Sequence, residues 1–194
     1  MNDALFEKAI SAIDAANAVD PTLVPTPDGP RPKELVHAEL MTAWVRRLRP
    51  DASEALLLAA RAQHIRRWES PRSSFPEGRT GYLRWRTQLY RFHADTAAAL
   101  LREAGYGEDV AGRVGALIRK ELLGRDPDAQ AIEDALCLVF LELQLGDVAG
   151  KMDREKLITV LRKTWTKMSP DARGLALELA LPEAERELVA AALA

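Results

Sequence analysis

The amino-acid sequence predicts an all-α protein built as an irregular helical bundle. Apolar residues recur at helical spacing along almost the whole chain of 194 residues. By contrast, no run of alternating β-branched residues extends beyond a few positions, and no Asn-Gly or Asp-Gly hairpin turn lies between such runs. No heptad pattern persists, so we expect the helices to pack irregularly rather than as a coiled coil. The length is that of a single domain, over residues 1–194.

The first part of the chain divides into three predicted helices and one proline-rich segment. A first helix is expected over residues 3–18. Residues 20–32 contain five prolines, which forbid a helix and favour an ordered loop of the polyproline type. A second helix is expected over residues 33–48, and a third over residues 53–68, where Ser53 is a good N-cap residue.

The remaining helices follow a loop predicted over residues 69–78. Glycine sets the expected helix ends, and aspartate or proline sets the expected helix starts. Helices are therefore predicted over residues 80–104, 108–123, 126–145, 153–167, 170–180 and 182–193.

Composition and charge exclude several classes of protein. The 27 lysines and arginines nearly balance 29 acidic residues, giving a net charge of −2, so a protein that coats a polyanion is not expected. A single cysteine, Cys137, excludes a disulfide framework or a cysteine-based zinc cluster within one chain. No apolar stretch approaches the roughly 20 residues of a membrane span. The acidic start of the chain also lacks the features of a signal peptide, so we expect no membrane partner and a cytoplasmic protein.

Four polar side chains are predicted to lie on apolar helical faces, where they would point towards the core. A single histidine in such a position is more commonly a satisfied core residue, and that interpretation stays open for each. A carboxylate there needs a partner, because burying an unpaired charge costs several kcal/mol. Imidazole and carboxylate ligands together suit one divalent ion such as Mn, Fe, Zn or Ni. The predicted metal ligands are His37, His64, His93 and Asp134.

The order of these residues resembles the HD-domain superfamily of metal-dependent phosphohydrolases. In that pattern an early histidine begins a helix, a His-Asp pair ends an apolar helix, a later histidine follows, and a final aspartate lies on an apolar helix. The resemblance implies an HD-like core over about residues 33–145 and a helical extension over about residues 152–194. Ile65 stands where the pattern has its metal-binding aspartate. Isoleucine cannot bind a metal, so a mononuclear site is expected rather than a dinuclear one.

A second resemblance is more specific and covers most of the chain. The chain is similar to the family catalogued as domain of unknown function 4202, which carries no activity over to it. The matching segments are QHIRRWESPR at 63–72, PEGRTGYLRWR at 76–86, EDALCLVFLE at 133–142 and KTWTKMS at 163–169.

Residues 61–91 form a basic and aromatic region. This region contains eight arginines and two glutamates, which gives it a local net charge of +6. Arginine binds phosphate or carboxylate oxygens through two parallel hydrogen bonds, and aromatic rings can stack on a base. The alternative for these arginines is that they are simply solvated. Lys163 and Lys167, on a later helix, could add positive charge, and the alternative for them is a basic last helical turn at the negative end of the helix dipole. The predicted substrate-binding residues are Arg66, Arg67, Arg72, Tyr82, Arg86, Lys163 and Lys167.

These features predict an HD-like, metal-dependent hydrolase acting on a small phosphorylated or nucleotide-type substrate. Water bound to one divalent ion would be the nucleophile, and Glu133 or Glu142 would act as the general base. The sequence contains no Gly-x-x-x-x-Gly-Lys-Ser/Thr or Gly-x-Gly-x-x-Gly run, so the phosphate-loop and Rossmann classes are excluded. Two alternatives stay open. One is a metal-dependent oxygenase on the same scaffold, and the other is a non-catalytic nucleotide- or RNA-binding module with structural histidines.

Overall fold

The computed structural model describes residues 3–194 and confirms an all-α protein. None of the helices in this range is both long enough and apolar enough to cross a membrane. The helices are α1 (Asp3–Asn17), α2 (Lys33–Leu48), α3 (Glu54–Arg61), α4 (Gly78–Ala104), α5 (Glu108–Ile118), α6 (Pro127–Val139), α7 (Leu145–Ala149), α8 (Arg154–Lys167), α9 (Pro170–Leu177) and α10 (Glu183–Leu193).

The proline-rich segment between α1 and α2 contains a small β-ribbon that the sequence interpretation missed. Strand β1 (Leu23–Val24) pairs antiparallel with β2 (Arg31–Pro32). The turn is closed by two backbone hydrogen bonds between Thr26 and Gly29, and Gly29 has a φ of +107° that favours glycine. Asp28 precedes this glycine, so an Asp-Gly hairpin signal was present in the sequence although its flanking strands are very short.

Helix α3 ends at Arg61, so the prediction of a helix to Trp68 is wrong. The chain leaves the helix because distant side chains bind the backbone that a helix would have used. The side chain of Asn17 accepts a hydrogen bond from the backbone N–H of Arg66 at 3.0 Å. Nδ1 of His93 pairs with the carbonyl oxygen of Ile65 at 2.7 Å. Arg66 takes a left-handed conformation with φ 51°, and residues 62–66 become a tight turn.

Three other helix ends differ from prediction. Helix α5 stops at Ile118, and the chain then turns through Lys120, which has a φ of 60°. The long helix expected over residues 126–145 is interrupted by a π-helical segment, Phe140–Gln144, before α7 begins. Helix α9 ends at Leu177 rather than at residue 180.

The packing of the helices places the turn after α3 close to two of the predicted metal ligands. Helix α2 packs against α3 and α6, and α4 packs against α1 and α5. Buried apolar side chains from Phe6 to Ala192 form one hydrophobic cluster, which includes the fully buried Ile65. Because the turn lies beside both α2 and α4, His64 meets a histidine from each of these helices.

Candidate functional site

Three histidines from separate parts of the chain lie together. The rings of His37 on α2 and His64 in the turn stack with centroids 4.0 Å apart and planes 14° apart. The rings of His64 and His93 on α4 lie 5.8 Å apart. His37 and His93 are buried, whereas the side chain of His64 keeps 19% of its surface exposed. His64 is thus the member of this group that solvent or a ligand can reach.

Glu34 adds a carboxylate that the sequence interpretation did not identify. It lies one helical turn before His37, and its Oε2 is 3.5 Å from Nδ1 of His64. One donor atom from each of Glu34, His37 and His64 lies within 4.8 Å of the others, so these side chains could hold a metal ion. We call them the Glu34–His37–His64 cluster. The overlooked signal was the Glu-x-x-His spacing, which places both side chains on one helical face.

Several buried oxygen and nitrogen atoms that could bind a metal have no hydrogen-bond partner within residues 3–194. They are Oε2 of Glu34, both ring nitrogens of His37, and Nε2 of His93. Buried polar atoms are nearly always hydrogen-bonded, because leaving one unsatisfied costs about 1–3 kcal/mol. The unsatisfied atoms of Glu34 and His37 belong to the Glu34–His37–His64 cluster, whose two imidazoles and one carboxylate fit a divalent metal ion.

The electrostatics of the site favour the neutral form of the histidines, which is the form that binds a metal. Burial lowers the pKa of His37 and of His64 well below the usual value for histidine, and it lowers the pKa of His93 to about 3. These rings are therefore neutral at pH 7, as metal ligation requires. Burial raises the pKa of the Glu34 carboxyl group and outweighs the nearby charges of Arg67 and Lys33, which act in the opposite direction. A bound cation would favour the ionised carboxylate.

Asp134, a predicted metal ligand, lies in a different hydrogen-bond arrangement. Its Oδ1 accepts hydrogen bonds from Nε2 of Gln130 at 3.0 Å and from the backbone N–H of Ser169 at 2.8 Å. Among the described residues, the group with donor atoms within 4.8 Å of one another does not include Asp134. The carboxylate of Asp134 instead holds the start of α9 against α6.

A basic cavity of about 230 Å³ opens beside His64. Four cationic side chains line it, one each from the turn after α3, from α4, from the turn after α5 and from α8. We call this space the basic cavity, and its charged residues are Arg67, Arg86, Lys120, Lys167 and Glu133. Four aromatic side chains also line it: Tyr82, Trp85, Tyr90 and Phe140.

Three of the four cations of the cavity lie close to its aromatic rings. The guanidinium of Arg67 lies 5.1 Å from the ring centroid of Trp85. Tyr90 has the guanidinium of Arg86 at 5.4 Å and the ammonium of Lys120 at 5.5 Å from its centroid. Cation–π contacts of this kind hold charged groups in place. These contacts therefore orient the positive charges before any ligand is bound.

Glu133 connects the two lysines of the cavity. Its buried carboxylate contacts the ammonium of Lys120 and lies 3.5 Å from that of Lys167. Burial raises the pKa of Glu133, but the two ammonium groups outweigh burial and hold it below its usual range. Lys120 has a left-handed backbone conformation, which is uncommon for a residue other than glycine. No sequence pattern marked Lys120 as a site residue.

Two predicted substrate-binding arginines lie outside the lining of the basic cavity. The exposed Arg66 binds Glu69, with Nε and Oε1 2.7 Å apart. Arg72 donates to the carbonyl oxygens of Phe75 and Pro76, both at 2.9 Å, and so braces the loop before α4. Arg72 also lines a neighbouring cavity.

Two further predicted residues lie elsewhere on the surface. Lys163 is exposed on α8 and does not line the basic cavity. Glu142, the second predicted base, accepts a hydrogen bond from Nε1 of Trp44 at 2.7 Å and is also outside the lining. Of the predicted substrate-binding residues, the structure brings together Arg67, Tyr82, Arg86 and Lys167 in the basic cavity.

A family model described as domain of unknown function (DUF4202) matches residues 7–189 of the chain. No curated protein and no solved structure matches the chain.

Proposed function

This chain belongs to the DUF4202 family, and we propose that it is a metal-dependent hydrolase of a small phosphorylated compound. One observation carries the proposal: His64 belongs both to the Glu34–His37–His64 cluster and to the lining of the basic cavity. Hydrolysis of a phosphate ester needs an activated water molecule next to cations that hold the phosphoryl group. The residues that could hold a metal-bound water and the residues that could hold the phosphoryl group therefore meet at His64.

Glu34, His37 and His64 would hold one divalent ion. Two imidazoles and one carboxylate form the donor set of several catalytic zinc sites, which keep a further position open for water. A bound ion lowers the pKa of its water and so supplies a nucleophile at neutral pH. Mn, Fe and Ni accept the same donors, and the HD-like scaffold is part of this proposal. His93 supports the site from α4, because its Nδ1 pairs with the carbonyl of Ile65 next to His64.

The cationic side chains would bind and orient the phosphoryl group. Arg67 follows His64 by three residues, its guanidinium lies 5.1 Å from the ring centre of Trp85, and its charge interacts with that of Glu34. Its planar guanidinium can donate two parallel hydrogen bonds to phosphate oxygens. Because the cations are held on aromatic rings, little reorganisation is needed as negative charge develops on the substrate.

Of the two predicted general bases, Glu133 lines the basic cavity and Glu142 does not. Glu133 lines the cavity, but two ammonium groups lower its pKa and weaken it as a proton acceptor. Its contacts support a role in orienting Lys120 and Lys167. Glu142 is held by Trp44 outside the cavity, which supports a structural role.

The donor set also favours a second candidate. Two histidines and one carboxylate form the facial triad of non-haem Fe(II) oxygenases. A metal-dependent oxygenase would use the same cluster, with the basic cavity binding an anionic substrate. Anaerobic loading with Fe²⁺ followed by exposure to O₂ separates the two candidates, because only the oxygenase should change its absorption spectrum in a substrate-dependent way.

The test of the hydrolase is metal analysis followed by a substrate screen. Purified protein loaded with Zn²⁺, Mn²⁺ or Ni²⁺ is expected to retain about one ion per chain and to release phosphate from members of a phosphosugar and nucleotide panel. His64→Ala should abolish both properties, whereas Lys163→Ala, on the exposed face of α8, should change neither. Ligand binding without any retained metal or turnover would contradict the proposal and favour a non-catalytic binding module.

A further inference from the structure

We propose that the basic cavity binds a compact diphosphate group, with Lys120 and Lys167 contacting one phosphoryl group and Arg67 and Arg86 contacting the other. The inference rests on the proposed function in taking this cavity as the substrate site, and it names the class of substrate. Inorganic pyrophosphate and diphosphate monoesters belong to this class.

The charge of the cavity is the first argument. Four cations and one carboxylate line it, a net charge of +3. A terminal phosphate carries about −1.5 to −2 charges near neutral pH, which leaves at least one cation unneutralised. A diphosphate monoester adds a second ionised phosphoryl group and carries about −3, which matches the lining.

The arrangement of the cations is the second argument. Lys120 and Lys167 share the carboxylate of Glu133, so they form one set. Arg86 and Lys120 both lie within 5.5 Å of the centre of the Tyr90 ring. The charges of the two arginines also interact with each other, so an arginine set meets the lysine set at this ring. Two adjoining cationic sets suit two linked phosphoryl groups better than one isolated phosphate.

The aromatic side chains argue against recognition of a base inside the cavity. Three of the four aromatic rings that line the cavity, those of Tyr82, Trp85 and Tyr90, already have a cation within 5.7 Å of the ring centre. The volume of about 230 Å³ is also below the usual range of about 300–1,000 Å³ for pockets that enclose a drug-sized ligand. The phosphoryl part of the ligand would therefore fill the cavity, and any sugar or base would lie outside it.

Lys120 distinguishes this site from an ordinary basic surface, because its side chain is largely buried and held in place by its neighbours. Its side chain is only 17% exposed and reaches the cavity from a left-handed backbone conformation. Such a conformation is unfavourable outside glycine and persists only where the surrounding structure holds it. Glu133 and Tyr90 provide that support, because the ammonium group contacts the Glu133 carboxylate and lies 5.5 Å from the centre of the Tyr90 ring.

The experiment is calorimetric titration of metal-free protein with four probes: phosphate, pyrophosphate, AMP and ADP. Pyrophosphate is expected to bind at least tenfold more tightly than phosphate, and ADP at least tenfold more tightly than AMP. Lys120→Met should reduce pyrophosphate affinity at least tenfold. Lys163→Met removes the same charge from the exposed face of α8 and should change it less than twofold. Lys120→Gly, which relieves the backbone conformation, gives a second test should the Met variant fold poorly.

The outcomes separate this inference from the proposed function. Equal affinity for phosphate and pyrophosphate, or equal effects of Lys120→Met and Lys163→Met, would overturn the diphosphate site. Tight pyrophosphate binding by protein that neither retains a metal nor hydrolyses any phosphate ester would support the diphosphate site and contradict the hydrolase.

Discussion

The rings of His37 and His64 stack with centroids 4.0 Å apart, although 27 positions separate them in the chain. One ring nitrogen of each imidazole and one carboxylate oxygen of Glu34 lie within 4.8 Å of one another. The contact depends on the early end of α3, which places His64 in a turn rather than on a helix. The candidate metal centre is thus a product of that turn.

Divalent metal is expected to stabilise the protein through this cluster. An ion at 100 times its dissociation constant adds about 2.7 kcal/mol to the free energy of unfolding, which corresponds to a rise of roughly 5–10 °C in melting temperature for a domain of this size. Thermal denaturation with and without Zn²⁺ or Mn²⁺ measures the shift. Glu34→Gln and His37→Ala should remove most of it, and Lys163→Ala should keep it. An unchanged shift in both cluster variants would place the metal elsewhere.

Replacement of Ile65 by aspartate is expected to destabilise the protein without creating a metal ligand. The side chain of Ile65 is fully buried in the hydrophobic cluster, while its backbone carbonyl faces His93. A new carboxylate there would be buried without a partner and would cost several kcal/mol. Denaturant unfolding of Ile65→Asp measures the loss, with Ile65→Val as a control that should cost only about 0.5–1.5 kcal/mol. Recovery of stability on adding Mn²⁺ would reverse this conclusion and support the HD alignment.

Loss of Asp134 is expected to lower stability but not metal affinity. Asp134→Ala leaves the backbone N–H of Ser169 without its acceptor and removes one of the two acceptors of the Gln130 amide, which also donates to the carbonyl oxygen of Lys167. An unsatisfied buried group costs about 1–3 kcal/mol, so chemical denaturation should occur at a lower denaturant concentration. Asp134→Asn keeps an acceptor oxygen and should lose less. A large fall in metal affinity in both variants, with stability unchanged, would restore Asp134 as a ligand.

Glu133 is expected to contribute stability that disappears in acid. Its pKa in the folded protein lies below the ordinary value of 4.5, so the unfolded chain binds the proton first as pH falls. The contribution is therefore fully present above about pH 4.5 and is lost as pH falls through the lowered value. Unfolding free energies of the wild type and Glu133→Gln should differ at pH 7 and converge below pH 4.5. A difference that stays constant over this range would contradict the ion pairs with Lys120 and Lys167.

The helical class, most helix starts and the basic region could be predicted from the sequence, because they depend on local patterns. Periodic apolar residues define the helices, and caps such as Ser53 and Asp126 define their first turns. The three histidines were also recognisable, since polar side chains on apolar faces stand out. The spacing of Glu34 from His37 is also a local pattern, because residues three apart share a helical face.

The site itself was decided by tertiary contacts. Asn17 and His93 bind the backbone of Arg66 and Ile65 from 49 and 28 positions away, and these hydrogen bonds end α3 and turn His64 towards His37. Lys120 reaches the basic cavity only because Glu133 and Tyr90 from other helices hold it there. The sequence by itself determined which segments are helical and which residues could carry chemistry. Only the folded chain decided which of them meet, because hydrogen bonds and ion pairs between distant segments leave no periodic pattern along the chain.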